Sequence, residues 1–442
     1  MVWNSEAVGG VENAGAGVKF ASMDGGVHHL AAMMDGTGYE YPEGYGPNGL
    51  GLTDNNNGKI IASRTYFRPW DPPADGDENA WPGVAGTSHG MHTSSTAAGG
   101  CVDDVTYIGY EVGSMCGVAP KAYVMSYRVF YESVTSNGSF YTTEGIAALE
   151  DIVLDGADVV NNSWGGGPYS EGGAFDPLDT ALINATKAGI FVSMSAGNSG
   201  PNLGTGDHPS SEYINVAASS TGGTLAAGRL GVKENPELQN LAYATSTFGG
   251  SLPLGQVLEY DYLPSMAVDP ANVLGCDAWP ADTFTGKAAL ISRGTCEFGV
   301  KVLNAEQAGA VFVIVYNHAD GGDSLTNMAP GEVGGQVTIP SVFIGQTDGN
   351  ALVANYTDNG AESAVLEFST IAFQSGNTPD VIVGFSSRGP NVGNVLKPDI
   401  AAPGQNILAQ GYTDGVTGED RHLGYGQASG TSMASPHVAG TA

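Results

Sequence analysis

The sequence predicts an α/β protein built on a parallel sheet covered by helices, and two stretches with a shared plan carry that expectation. Glu144 to Leu154 has helical apolar spacing, Gly156 stands where a helix end takes a left-handed residue, and the apolar run Ala157 to Val160 follows. Thr180 to Ala188 repeats the plan, with Gly189 as the stop and Ile190 to Met194 as the strand. Helix, glycine and buried strand in alternation imply right-handed crossovers, because each helix packs back over the sheet between two parallel strands. A third observation concerns strand ends: Val18 to Met23 runs into Asp24, Ala157 to Val160 into Asn161, Asn162 and Ser163, and Ile190 to Met194 into Ser195, Gly197 and Asn198. Ligands of open parallel sheets bind outside the carboxyl edge, so three strands deliver polar groups to the place where a site is expected.

The 442 residues allow two or three domains. Forty-six acidic against fifteen basic side chains give a net charge of −31, a field that repels nucleic acid and anionic membranes. Nucleic acid is thereby excluded as a partner. No run approaches the roughly 18 apolar residues of a membrane span, so no membrane insertion is expected. Met1 to Gly10 lacks the pattern of a signal peptide, which places any export signal or pro-segment upstream.

From about Ser220 to Gly376 the rhythm changes to short strand-like pieces with one clear helix, Val300 to Ala308, followed by the apolar run Ala310 to Tyr316. This reads as an inserted second domain, dividing the chain into 1–219, 220–376 and 377–442. The insertion holds five basic and sixteen acidic residues, so the acidity is global. The four cysteines fall in two local pairs, Cys101 with Cys116 and Cys276 with Cys296, without the spacing of zinc or thioredoxin-type sites. Two short-loop disulfides are the reading, and four buried free thiols the alternative.

Near the C-terminus stands Gly430-Thr431-Ser432-Met433-Ala434-Ser435-Pro436-His437-Val438-Ala439-Gly440, and earlier stand Ser88-His89-Gly90-Met91-His92 and Ser195-Ala196-Gly197-Asn198-Ser199-Gly200-Pro201. These motifs resemble the nucleophile, base and oxyanion motifs of the subtilisin-like serine proteases, in the chain order Asp, His, Ser. The resemblance covers nearly the whole chain. It implies a subtilisin-like fold and a secreted endopeptidase with protein or peptide substrates and no required cofactor. Asp24, His89 and Ser432 become the expected catalytic residues and Asn198 the oxyanion donor. Structural calcium, which family members often bind, is allowed by the resemblance without assigned ligands.

The chemistry suits those residue types. A serine hydroxyl needs a base within hydrogen-bond reach, and His89 would be that base. Thr87 and Ser88 look like a helix start, whose positive dipole end would keep the ring neutral, while Asp24 orients the ring and stabilises its cation. Ser432 begins a helix in a glycine-rich turn, with Pro436 expected in its first turn. Asn198 and the Ser432 N–H would hold the oxyanion.

Two departures stand out. Gly25 replaces a usual hydroxyl residue after Asp24, so one hydrogen bond to the carboxylate is expected to be missing, and Met91 replaces a usual threonine. An extended substrate would pair with Ser163-Trp164-Gly165, which with Ala196 and Gly197 would wall a roomy pocket for a large apolar side chain. Trp164 as plain core is the rival.

Gly286 to Cys296 and the run Val300 to Asn317 resemble a protease-associated domain, which carries no catalytic residue. Phe385 to Pro390 and Lys397 to Gly404 are family-like and read as structural. Asp35 lacks a feeding strand and is set aside as the catalytic acid. His92, His437 and Ser435 read as packing residues. Asp54 to Gly58 and Asp71 to Glu78 offer oxygen ligands but miss the twelve-residue calcium loop and read as solvated surface. The family normally continues beyond Ala442, so a C-terminally truncated catalytic domain is expected. A catalytically silent peptide-binding relative and an acyl transferase using the same residues are the rival functions.

Overall fold

The computed structural model describes all residues except 1, 6–7, 169–171, 174 and 414–415. The chain forms two compact units: Met1–Tyr107, Glu111–Leu225 and Gln374–Ala442 make the first, and Ile108–Tyr110 with Ala226–Phe373 make the second. In chain order, the first unit begins with β1 (Lys19–Asp24), β2 (Leu50–Gly51), β3 (Ile60–Thr65) and helix α1 (His89–Ala98). The hairpin β4 (Val102–Tyr107) and β5 (Tyr110–Met115), then β6 (Tyr123–Arg128), α2 (Thr142–Leu154), β7 (Val159–Asn162), α3 (Pro177–Lys187), β8 (Phe191–Ser195) and β9 (Ile214–Ser219) follow. The next segment contains β10 (Gly223–Val232), β11 (Tyr243–Thr245), β12 (Val257–Pro264), α4 (Ser265–Val268), β13 (Ala288–Ser292), α5 (Phe298–Gln307), β14 (Phe312–Tyr316), β15 (Ser341–Ile344), α6 (Gln346–Asn359) and β16 (Val365–Gly376). The chain closes with β17 (Ile400–Pro403), β18 (Ile407–Gly411), β19 (Gly424–Ala428) and α7 (Thr431–Thr441).

Eight strands form one sheet in the order β2-β3-β6-β1-β7-β8-β9-β17, and every pairing in it is parallel. The expected α/β fold is therefore present. Both faces are covered: along β1, Phe20 joins the core shared with Met91, Ala97 and Ala439, while Ala21 and Met23 join Leu149, Ile152, Leu182 and Val192 on the other side. This two-residue alternation is what a strand buried on both sides requires. Gly156 and Gly189 have φ of 77° and 100°, as expected for helix stops. Asn161 and Asn162 lie inside β7 rather than after it, with no exposure, because Ser435 and Ser163 hydroxyls engage Asn161.

The order of strands changes direction at β1, which lies between β6 and β7. Asp24 is its last residue, so it stands at the carboxyl-end crevice of a topological switch point. Helices α1 and α7 pack closely: a Cβ on Gly440 would lie 2.7 Å from Ala97 O. Their C-terminal ends therefore meet.

The second unit has a seven-stranded mixed sheet, β10-β16-β12-β13-β14-β15-β11, with a parallel centre. Antiparallel pairs join β16 to β12 and β11 to β15. Helix α5 matches the expected one, but α6 was not expected. Its inward residues are Gly349, Leu352 and Asn355, a face with one large apolar side chain. Both cysteine pairs form disulfides, Cys101–Cys116 at 2.00 Å and Cys276–Cys296 at 2.14 Å, which removes the free-thiol alternative.

Candidate active site

Asp24 is 1% exposed, and three groups converge on its carboxylate. Gly25 N donates at 2.6 Å, His89 Nδ1 lies 2.9 Å from each oxygen, and Thr93 Oγ1 donates at 3.2 Å. The expected missing hydroxyl is thus supplied by Thr93, one turn beyond His89 on α1. The i,i+4 spacing that puts both on one helix face is the signal that could have found it. Gly25 itself answers to space, since a Cβ there would come within 2.8 Å of Thr87 Cγ2.

His89 opens α1 as expected, and its side chain is 27% exposed. Burial pulls its pKa down, but the charge and hydrogen bond of Asp24 outweigh it and hold the pKa above the ordinary 6.5. The expectation that the helix end keeps the ring neutral is overridden by a full carboxylate at 2.9 Å, against the roughly half charge of a helix terminus. Ser88 makes no capping bond, whereas Thr87 Oγ1 accepts from His89 N at 3.2 Å.

Ser432 is the second residue of α7, so its N–H is one of the first-turn donors without an intrahelical acceptor. Pro436 is the sixth residue, inside the helix rather than in its first turn. A proline there cannot donate to the carbonyl four residues back, which is that of Ser432. Ser163 Oγ donates to this freed carbonyl at 2.8 Å. In return Ser432 Oγ donates to Ser163 O at 3.1 Å, and among the described hydrogen bonds it makes none to His89.

Asn198 is tied to the same helix start: its Oδ1 accepts from Thr431 N at 2.9 Å and Thr431 Oγ1 at 3.0 Å. Thr431 Oγ1 accepts in turn from Gly197 N at 3.1 Å. Using Oδ1 in this way leaves the Nδ2 donor pair without a described protein acceptor. Gly197 has φ of 94°, and a Cβ there would meet Ser387 Oγ at 2.9 Å, so glycine is required twice over.

Asp24, Thr87 and His89 line a cavity of about 400 Å³ together with Ser163, Trp164, Gly165, Phe130 and Tyr131. Ala196, fully buried, and Gly197 do not line it. Trp164 is both wall and core: it is 8% exposed and packs edge-on against Phe140 and His208. The packing residues behave as expected, with His92 Nε2 on Ile407 O, His437 Nδ1 on Met433 O, and Ser435 bonded to Asn161 and Ser193. Asp35 only closes a turn onto Thr37.

Among the described residues no group of three or more His, Cys, Asp or Glu side chains is arranged to hold a metal ion. The two oxygen-rich loops are only partly solvated. Asn55 and Asp77 are 0% exposed and Asp71 is 6% exposed. Asn55 Oδ1 accepts from His29 N, Asn57 Oδ1 accepts from Ile60 N, Asp71 pairs with Arg68, and Asp77 pairs with Arg128 at 2.5 Å. The side-chain oxygens of these four residues are engaged by protein donors, while Asp54, Asp75 and Glu78 are exposed.

Comparison with known proteins identifies the family. A model of the subtilase family (Peptidase S8) matches residues 15–442. Subtilisin-like protease SBT1.6 of Arabidopsis thaliana is 31% identical over 405 residues, covering 88% of this chain and 50% of that protein. The minor extracellular protease Vpr of Bacillus subtilis is 30% identical over 429 residues, covering 96% of this chain and 45% of that protein. This chain spans about half the length of the curated relatives it matches. The crystal structure of the psychrophilic subtilisin-like protease Apa1 from Pseudoalteromonas sp. AS-11 aligns over 99% of this chain and 85% of its own, with 17% identity and a TM-score of 0.41. With a family model matched over almost its whole length, this chain belongs to the subtilase family.

Proposed function

We propose that this chain is the catalytic part of a secreted serine endopeptidase that cleaves protein substrates through an acyl-enzyme on Ser432. The supporting observation is the Asp24–His89 pair, whose 2.9 Å bond holds a partly exposed imidazole in a cleft at the sheet's switch point. Ser432 and Asn198 sit at the start of the helix packed alongside α1.

In this reading Ser432 Oγ leaves Ser163 O by rotating about its Cα–Cβ bond when substrate enters. Such bonds often tighten only in the substrate complex. Oγ then attacks the scissile carbonyl as its proton passes to His89 Nε2, and Asp24 stabilises the imidazolium. The carbonyl oxygen takes its developing charge to Asn198 Nδ2 and Ser432 N–H. Collapse breaks the C–N bond as His89 returns the proton to the leaving amine, and water repeats the sequence on the ester.

The peptide would lie along Ser163–Gly165, with Trp164 and Phe130 favouring a large apolar side chain. Ala196 and Gly197 would approach the bound chain from beyond the cavity. The second unit is read as a protease-associated domain that influences substrate access, with Cys276–Cys296 as a structural bond. No cofactor takes part in the steps above, and a pro-segment would precede the chain.

A peptide-binding protein without catalysis is the second reading, favoured by the bond that holds Ser432 Oγ on Ser163 O. A peptide-library digest with the protein expressed from its full-length gene separates the two. Cleavage that disappears in Ser432→Ala supports the protease, and intact peptides with folded wild type support the binder.

A further inference from the structure

We infer that His422 is a positioning residue for His89, acting through the Ser88 hydroxyl; this rests on the reading of His89 as the general base. Ser88 occupies the position before α1 where serine ordinarily lends its oxygen to a first-turn N–H. Here that oxygen is diverted, lying 2.6 Å from His422 Nδ1. Both side chains are shut away, Ser88 at 4% and His422 at 0% exposure.

The other ring nitrogen decides the direction of this bond. His422 Nε2 lies 2.7 Å from Gly83 O, which can only accept, and 3.3 Å from Arg421 Nε, which can only donate; the much shorter contact sets Nε2 as the protonated nitrogen and leaves Nδ1 as the acceptor. The Ser88 hydroxyl therefore donates to it. Burial, then Arg421 and Arg128, oppose a second proton on the ring more than Gly83 O and Asp77 favour one, which holds its pKa below the ordinary 6.5. His28 also faces it, with its own pKa pushed down to about 4 by burial beside His29 and His422.

The 3-10 turn Glu419–His422 thus grips the segment 83–88 at three points: Gly83 O and Ser88 Oγ through His422, and Gly86 O through Arg421. That segment leads directly into His89, and its Ala85 and Thr87 line the cleft. Without the His422 ring, Ser88 is free to rotate back over the helix end, and the first turn of α1 loses the contact that sets its place. Ångström-scale displacement of a reacting group is enough to cost orders of magnitude in rate.

The test is a double-mutant cycle with His422→Ala, Ser88→Ala and both together, each scored by kcat, KM and melting temperature. The expected result is a loss of about tenfold in kcat for each single variant with KM little changed. The double variant should be no worse than either single, because one bond links the two. Unchanged kcat in folded variants, or losses that simply add, overturns the inference.

If His422→Ala does not fold, His422→Gln keeps a donor for Gly83 O and an acceptor for Ser88. It should retain kcat within about threefold, while adding Ser88→Ala lowers it about tenfold. A His422→Gln protein indifferent to Ser88→Ala also overturns it. Folded wild type that cleaves nothing points instead to failure of the protease reading.

Discussion

Replacing Ser163 by alanine tests how the nucleophile's helix is held in place. Pro436 cannot donate to the Ser432 carbonyl, and Ser163 Oγ at 2.8 Å takes that role. The same hydroxyl accepts from Asn161 Nδ2 at 2.9 Å, in a wholly buried setting. Ser163→Ala therefore orphans two groups. Each costs about 1–3 kcal/mol, with the carbonyl nearer the low end because its bond is only partly buried, so the loss is about 2–4 kcal/mol. At about 2 °C per kcal/mol for a unit of this size, Tm falls by about 4–8 °C. Pro436→Ala restores an N–H aimed at the Ser432 carbonyl and should be nearly neutral alone, since a carbonyl accepts twice. Combined, the two substitutions should recover roughly the carbonyl's share and leave the Asn161 loss in place. Differential scanning calorimetry on the four proteins reads this coupling directly. A Ser163→Ala protein melting within about 1 °C of wild type, or a double variant with strictly additive losses, would refute the reasoning.

Other expectations follow from the same geometry. Because Asp24 holds the His89 pKa above 6.5, the acid limb of kcat/KM should have its midpoint above that value. In Asp24→Asn the residual activity should show a lower midpoint, since burial then acts alone; an unmoved limb would reject the assignment. The raised pKa also stabilises the fold below about pH 6.5, and this contribution fades as pH rises through the folded value, opposite to the activity trend. Asn198→Asp keeps the oxygen that Thr431 donates to but loses the Nδ2 donor, so kcat should fall by about 10²–10³, the scale known for subtilisin's oxyanion asparagine, while Tm moves little. Cys101→Ser with Cys116→Ser removes a bridge spanning 15 residues and should cost about 3 kcal/mol of stability, read from denaturant unfolding, without changing kcat.

Much of this protein was legible where local chemistry and long-range packing agree. The helix, glycine and strand units were readable because Gly156 and Gly189 adopt conformations that other residues resist, and because strands buried on both faces leave unbroken apolar runs. His89 and Ser432 stood out through motifs that resemble those of a known family, and Asp24 through the apolar strand that feeds it. Helix α6 was not, because its inward face rests on Gly349, which sits against the Tyr316 ring, and on Asn355, which bonds Tyr262 OH and Ser363 O. Neither has an apolar signature. The loops holding Asn55, Asp71 and Asp77 looked solvated because their partners, such as Arg68 and Arg128, announce themselves only through tertiary structure. Thr93 was overlooked although its spacing from His89 was on display, since a helical threonine more often bonds its own backbone.

Fluorophosphonate treatment followed by mass spectrometry asks most directly whether the hydroxyl at 432 is activated by the imidazole at 89. A single covalent adduct on the peptide containing Ser432, lost in His89→Ala, is the predicted result. Folded protein that takes up no adduct, or carries it on another residue, while a control serine protease is labelled, would contradict it.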